Sequence, residues 1–70
     1  MTDRDDRAPR VVRVLPDVPA VAKEFDYAVP DSWQADGRAG RLAIGTMVRI
    51  ELHGRRVGGW VTQLDPVVPP

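Results

Sequence analysis

The chain has 70 residues, 29% of them charged, with ten basic and ten acidic groups that cancel to a formal net charge of zero. A domain of this length buries only ~60% of the surface its unfolded chain exposes, and with no cysteine and one histidine it has neither disulfides nor a histidine-rich zinc site to supplement a small core. No apolar run approaches the ~20 residues that span a bilayer, and the start MTDRDDRAPR lacks the basic-then-apolar order of a signal peptide, so a cytoplasmic setting without a membrane partner is expected.

Residues 1–9 are charged, nearly free of large apolar groups and closed by Pro9, and read as a flexible tail. RVVRVL (10–15) is rich in β-branched residues and stops at Pro16, which predicts a first strand. PDVPAVAKE (16–24) opens with two prolines and reads as a connecting loop. FDYAV (25–29), aromatic and β-branched, is a short second strand ended by Pro30. PDSWQADGRAGRLAIG (30–45) has loop composition, with Trp33 tucked beneath it as a plug and a short helical turn at DSWQ capped by Asp31 or Ser32.

The clearest element is TMVRIELHGRRVGGWVTQL (46–64). Val48, Ile50 and Leu52 alternate with Met47, Arg49, Glu51 and His53, the period of two that sends one row to a core and the other to solvent. Gly54 permits a reversal, so the two runs form a β-hairpin, and Gly58 and Gly59 in the returning strand mark a bulge or a close backbone approach. The whole reads as mainly β: a small antiparallel sheet or partly closed barrel with a C-terminal hairpin and few or no helical turns, over residues 10–65. Residues 66–70 look like a linker or a cut. Two open sheet edges are a liability at this size and suggest a piece of something longer.

Catalytic chemistry lacks its inventory. The single lysine, Lys23, follows an alanine, so there is no GxxxxGK[ST] phosphate loop, and there is no GxGxxG. Ser32 and His53 have no spacing that would join them as nucleophile and base, and Asp17, Glu24, Asp26, Asp31 and Asp36 are scattered through loops. No enzyme activity and no cofactor are expected. Binding chemistry is better represented, because charge is unevenly spread. Residues 1–37 carry five basic against eight acidic groups, a net −3, and residues 38–70 carry five arginines against Glu51 and Asp65, a net +3. Arg49, Arg55 and Arg56 at the hairpin suit phosphate contact through forked guanidinium groups.

Phe25 and Tyr27 share one face of an ideal strand, with Asp26 on the other. Two readings follow: two core aromatics beside a solvated acid, or a pocket in which a ring stacks a base and the carboxylate accepts a hydrogen bond from a sugar hydroxyl while repelling phosphate. In the second, a free terminal hydroxyl is favoured over a phosphorylated or internal position.

The order VxRVLPDVP, FDYAVP, a Gly-containing loop and GTMVRIELHGRRVGGWV, across residues 11–64, resembles the 3′ DNA-binding domain that begins primosomal protein N′, the replication restart protein PriA. The HGRxVxGxV form and the Arg, Ala, Val and Asp bias look most like the branch from high-GC bacteria whose helicase motifs are degenerate. Glu51 and Leu52 stand where the family's pattern has a proline and an aromatic. The resemblance implies capture of the 3′-hydroxyl end of the nascent leading strand at stalled forks, for replication restart. Asp26 would take the terminal hydroxyl, Phe25 would wall the pocket, and a backbone group near Gly54 would close it. The implied ligand is branched or single-stranded DNA with a free 3′ end, and the implied protein partners are other primosome proteins or the remainder of a PriA-like chain. The alternative from another class is a small β-barrel protein-interaction module with no nucleic-acid role, whose FDY residues are core.

Overall fold

The structure is a computed structural model and describes residues 8–66, so the outer parts of the expected tail (1–7) and linker (67–70) lie outside the described residues. Four strands, β1 (Val11–Pro16), β2 (Phe25–Ala28), β3 (Met47–Leu52) and β4 (Arg55–Leu64), form one antiparallel sheet in the order β2-β1-β4-β3. The β-branched sequence of β1 makes it a central strand: Val12, Val14 and Pro16 are buried and alternate with the partly exposed Val11, Arg13 and Leu15. Pro16 belongs to the strand instead of following it. It opposes Gly59, and the ladder continues through the Asp17 amide, which donates to the Gly58 carbonyl at 2.8 Å.

Arg13 opposes Gln63 and Val14 opposes Val61, so Thr62 is an extra residue in β4 and forms a bulge there. The bulge lies at Thr62, and the glycine pair serves the other purpose the sequence allowed. A side chain on Gly59 would run into Val14 Cγ1, so the glycine is what lets β4 lie close against β1. The β3–β4 turn is made by His53 and Gly54, with φ of 52° and 78°, the pair of positive values that a tight hairpin turn requires. At the other end of β4, Asp65 Oδ1 accepts from the amides of Arg10 (2.8 Å) and Val11 (3.0 Å), clamping the end of the sheet.

Between β2 and β3 the chain forms a six-residue helix, α1 (Asp31–Asp36), and a 3-10 turn over Ala39–Arg41. The helix is longer than the expected turn and starts differently: Pro30 occupies the N-cap position, and no side chain of Asp31 or Ser32 caps it. Its buried Gln34 donates to the Pro9 carbonyl at 2.8 Å, and Ala8 is buried as well, so ordered packing begins before Arg10. Val12, Val14, Ile50 and Val61 from the sheet join Val29, Ala39 and Leu42 in the core, and Val14 and Val61 are fully buried. Trp33 packs against this core from one side.

The sheet curls into a half-barrel. The Tyr27 hydroxyl on the edge strand β2 donates to the Glu51 carbonyl on the opposite edge strand β3 at 3.1 Å, so the two edges are brought within one side chain of each other. No helix among the described residues is long and apolar enough to cross a membrane.

Candidate nucleic-acid interface

Asp26 sits directly opposite Arg13 in the β1–β2 ladder, and direct cross-strand partners project from the same face. Arg13 Nε donates to Asp26 Oδ1 at 2.8 Å and Nη2 to Oδ2 at 3.3 Å, while Nη1 donates to Gln63 Oε1 on β4 at 3.2 Å. The network thus crosses three strands. Both charged side chains remain about one-third exposed, at 31% and 35%. The hydrogen bond from Arg13 holds the Asp26 carboxyl below the usual carboxylate range, with the guanidinium charge adding to the effect. Asp26 is therefore an anion throughout the neutral range. A carboxylate offers about four acceptor positions, so the two bonds from Arg13 fix its orientation without exhausting it.

Phe25 and Tyr27 lie on the other face of β2, opposite Val14 and Val12 in the register, and both are half-buried. The Lys23 ammonium stands 5.6 Å from the centre of the Phe25 ring. Gly54 lies in the exposed hairpin turn, three residues beyond the Glu51 carbonyl that receives the Tyr27 hydroxyl. That bond is the link between the FDY strand and the hairpin. Phe25 and Asp26 adjoin along the chain but face opposite ways, and neither they nor Gly54 lines the two cavities described next.

The first cavity is the mouth of the half-barrel, about 250 Å³, lined by Tyr27, Trp33 and Ile50 and by the charged Arg49, Glu51 and Arg56. The second is a wider groove of about 560 Å³ beside it, where Trp33, Arg38 and Arg41 face Met47, Arg49 and Arg56. Ligand sites commonly span ~300–1,000 Å³, so only the groove has room for a nucleotide-sized group. Of the three arginines expected to meet phosphate, Arg49 and Arg56 line this groove, and Arg55 is exposed at the turn.

Sequence reading missed the Arg13 partner of Asp26 and the convergence of Trp33, Arg38 and Arg41 on β3. Arg13 alternates with buried valines, which marks it as outward-facing, but its partner is set by a register that neither strand contains alone. Arg38 and Arg41 have the i, i+3 spacing of one helical turn, a signal that was available within the loop.

A curled antiparallel sheet flanked by a one-signed cationic groove with an aromatic wall has the makings of a nucleic-acid-binding module. The family comparison makes that class specific. The model of the PriA 3′ DNA-binding domain (3′BD) matches residues 13–69, and the chain belongs to this family. No curated protein and no solved structure matches the chain. DNA binding in replication restart is accordingly its role, and the reading with no nucleic-acid role is set aside.

Proposed function

We propose that this domain recognises the 3′-hydroxyl end of the nascent leading strand at stalled replication forks. Asp26 accepts the terminal hydroxyl, Phe25 walls the terminal nucleotide, and the backbone at Gly54 closes the site, with Arg49, Arg55 and Arg56 along the phosphates. The observation that supports this reading best is the state of Asp26: an ionised acceptor, oriented by Arg13 and still accessible on an edge strand. Phe25 and Asp26 face opposite ways along β2, so a site that uses both has to lie at the end of the strand, bounded by Glu24 and the adjoining loop. Branched or single-stranded DNA with a free 3′ end is the ligand. Other primosome proteins or the remainder of a PriA-like chain are the protein partners, and the cross-strand neighbours Trp60 and Met47, each 44% exposed, offer an apolar surface to them.

A carboxylate discriminates between ends in two ways. It gains a charge-assisted hydrogen bond from a hydroxyl, and it repels a terminal phosphate. Arg13 neutralises part of the second effect, so the lost hydrogen bond carries more of the discrimination. Fluorescence anisotropy on a partial fork ending in a 3′-hydroxyl or a 3′-phosphate tests this. The hydroxyl end is expected to bind roughly tenfold or more tightly, the worth of one such bond. Equal affinities would contradict end recognition while leaving DNA binding intact.

A further inference from the structure

We infer that the groove between the 37–42 segment and edge strand β3 extends the phosphate contacts of Arg49 and Arg56 to Arg38 and Arg41, and takes the phosphodiester backbone of a single strand independently of its terminus. The inference rests on the domain's being a DNA binder and does not require Asp26 to bind a hydroxyl. Four guanidinium groups converge on this groove: Arg38 and Arg41 from the connection between α1 and β3, Arg49 from β3, and Arg56 from β4. Only Arg38 has an acidic partner among the described residues. Asp36 Oδ2 accepts from Arg38 Nε at 2.8 Å, and Asp36 Oδ1 accepts from the Arg38 amide at 2.9 Å.

Asp36 is held by Arg38 and its charge also acts on Arg41 at longer range, while Arg41, Arg49 and Arg56 form no ion pair among the described residues. Glu51 stands opposite Arg56 in the β3–β4 ladder and lines the neighbouring barrel mouth together with Arg49 and Arg56, but it forms no ion pair with either. Converging like charges repel one another, and a bound anion removes that repulsion.

Arg38 decides which anion. Its guanidinium lies 4.9 Å from the centre of the Trp33 ring, and Trp33 is itself half-buried against the core. The cation thus lies over an aromatic ring anchored against the core, and an arginine paired with an aromatic is the kind of surface on which a base stacks. Phosphate-binding cations beside a stacking platform match a nucleotide strand, which alternates phosphates with flat bases. An acidic peptide would use the charges and leave the platform unused. The connection that carries Arg38 and Arg41 also contributes Ala39 and Leu42 to the core, so it is anchored, and Leu42 forms part of the groove's floor.

The test uses a single strand blocked by a 3′-phosphate, titrated at several salt concentrations against the intact chain, Arg41→Gln, and the double variant Arg38→Gln with Arg41→Gln. The double variant is expected to bind the blocked strand roughly tenfold more weakly at low salt, and its slope of log affinity against log salt should be smaller by about 1.4, at ~0.7 per lost phosphate contact. Arg41→Gln alone should lower the slope by about half as much. It leaves the pairing of Arg38 with Asp36 intact, so it reports even where the double variant melts early. Unchanged affinity and slope in both would overturn the inference. So would loss of binding to a polyaspartate peptide with DNA binding unaltered, which would make the groove a site for acidic protein. Failure of the end-recognition reading shows separately in the intact chain, as equal affinities for hydroxyl-ended and phosphate-ended strands with the arginine-dependent salt slope intact.

Discussion

Replacing Asp26 by asparagine is expected to weaken binding to a 3′-hydroxyl fork roughly 10- to 100-fold, the range of a hydrogen bond to a charged group. The same change should leave a 3′-phosphate fork bound as before or somewhat better, so the ratio of the two affinities collapses toward one. Asparagine keeps one acceptor oxygen and nearly the same shape, but it removes the charge that both strengthens the hydroxyl bond and repels phosphate. It also loosens the hold of Arg13, whose two bonds to the carboxylate become at most one. The pair is partly exposed at the surface of the sheet, where ion pairs contribute little to folding, so the thermal melt should barely move. Anisotropy on both forks, with a melt of each protein, checks the result. Equal losses on the two forks would show that Asp26 supports the sheet instead of reading the end.

Gly59→Ala is expected to be the most damaging single-methyl change in the chain. The new Cβ would collide with Val14 Cγ1 and sit 3.2 Å from the Leu15 carbonyl oxygen. Val14 is fully buried, and its strand pairs on both sides, so neither neighbour can retreat without moving the centre of the sheet. Overpacking of this kind costs ~1–3 kcal/mol, and in a domain of this size each kcal/mol lowers the melting temperature by roughly 4–8 °C. Gly58→Ala is the control. Its nearest contact is Met47 Sδ at 3.1 Å, the end of a flexible and exposed side chain that can swing away. Circular dichroism melts of the two variants should differ by about 5 °C or more. Val14→Ala combined with Gly59→Ala should recover part of the loss, because it removes the colliding methyl while leaving the backbone contact. Equal melts for Gly58→Ala and Gly59→Ala would contradict the close β1–β4 packing.

Much of the fold was legible because it is written in local patterns. The alternation in MVRIEL and the turn glycine at 54 locate the hairpin, and the β-branched run after Arg10 locates β1, each within a residue of the observed limits. The order of strands in the sheet was not legible. It depends on β1 pairing with β4 some fifty residues later, a contact that no local pattern encodes.

The same reason hides part of the site. FDY identifies an acid between two aromatics, but whether that acid is free or paired is decided by a register that places Arg13 opposite it. The groove was hidden differently. Residues 37–42 have loop composition, and only their tertiary contacts through Ala39 and Leu42 turn them toward β3. The glycine pair was read to two alternatives, and packing against Val14 selects the close approach.

End recognition through the FDY strand is tested most directly by a two-dimensional amide NMR titration of the chain with matched oligonucleotides ending in a 3′-hydroxyl or a 3′-phosphate. The expected result is a set of shifts at Phe25, Asp26 and Gly54 produced by the hydroxyl end and absent or much smaller with the phosphate end, while Arg41 and Arg49 respond to both. Identical shift patterns for the two oligonucleotides, or a hydroxyl-specific set that excludes Asp26 and its neighbours, would contradict it.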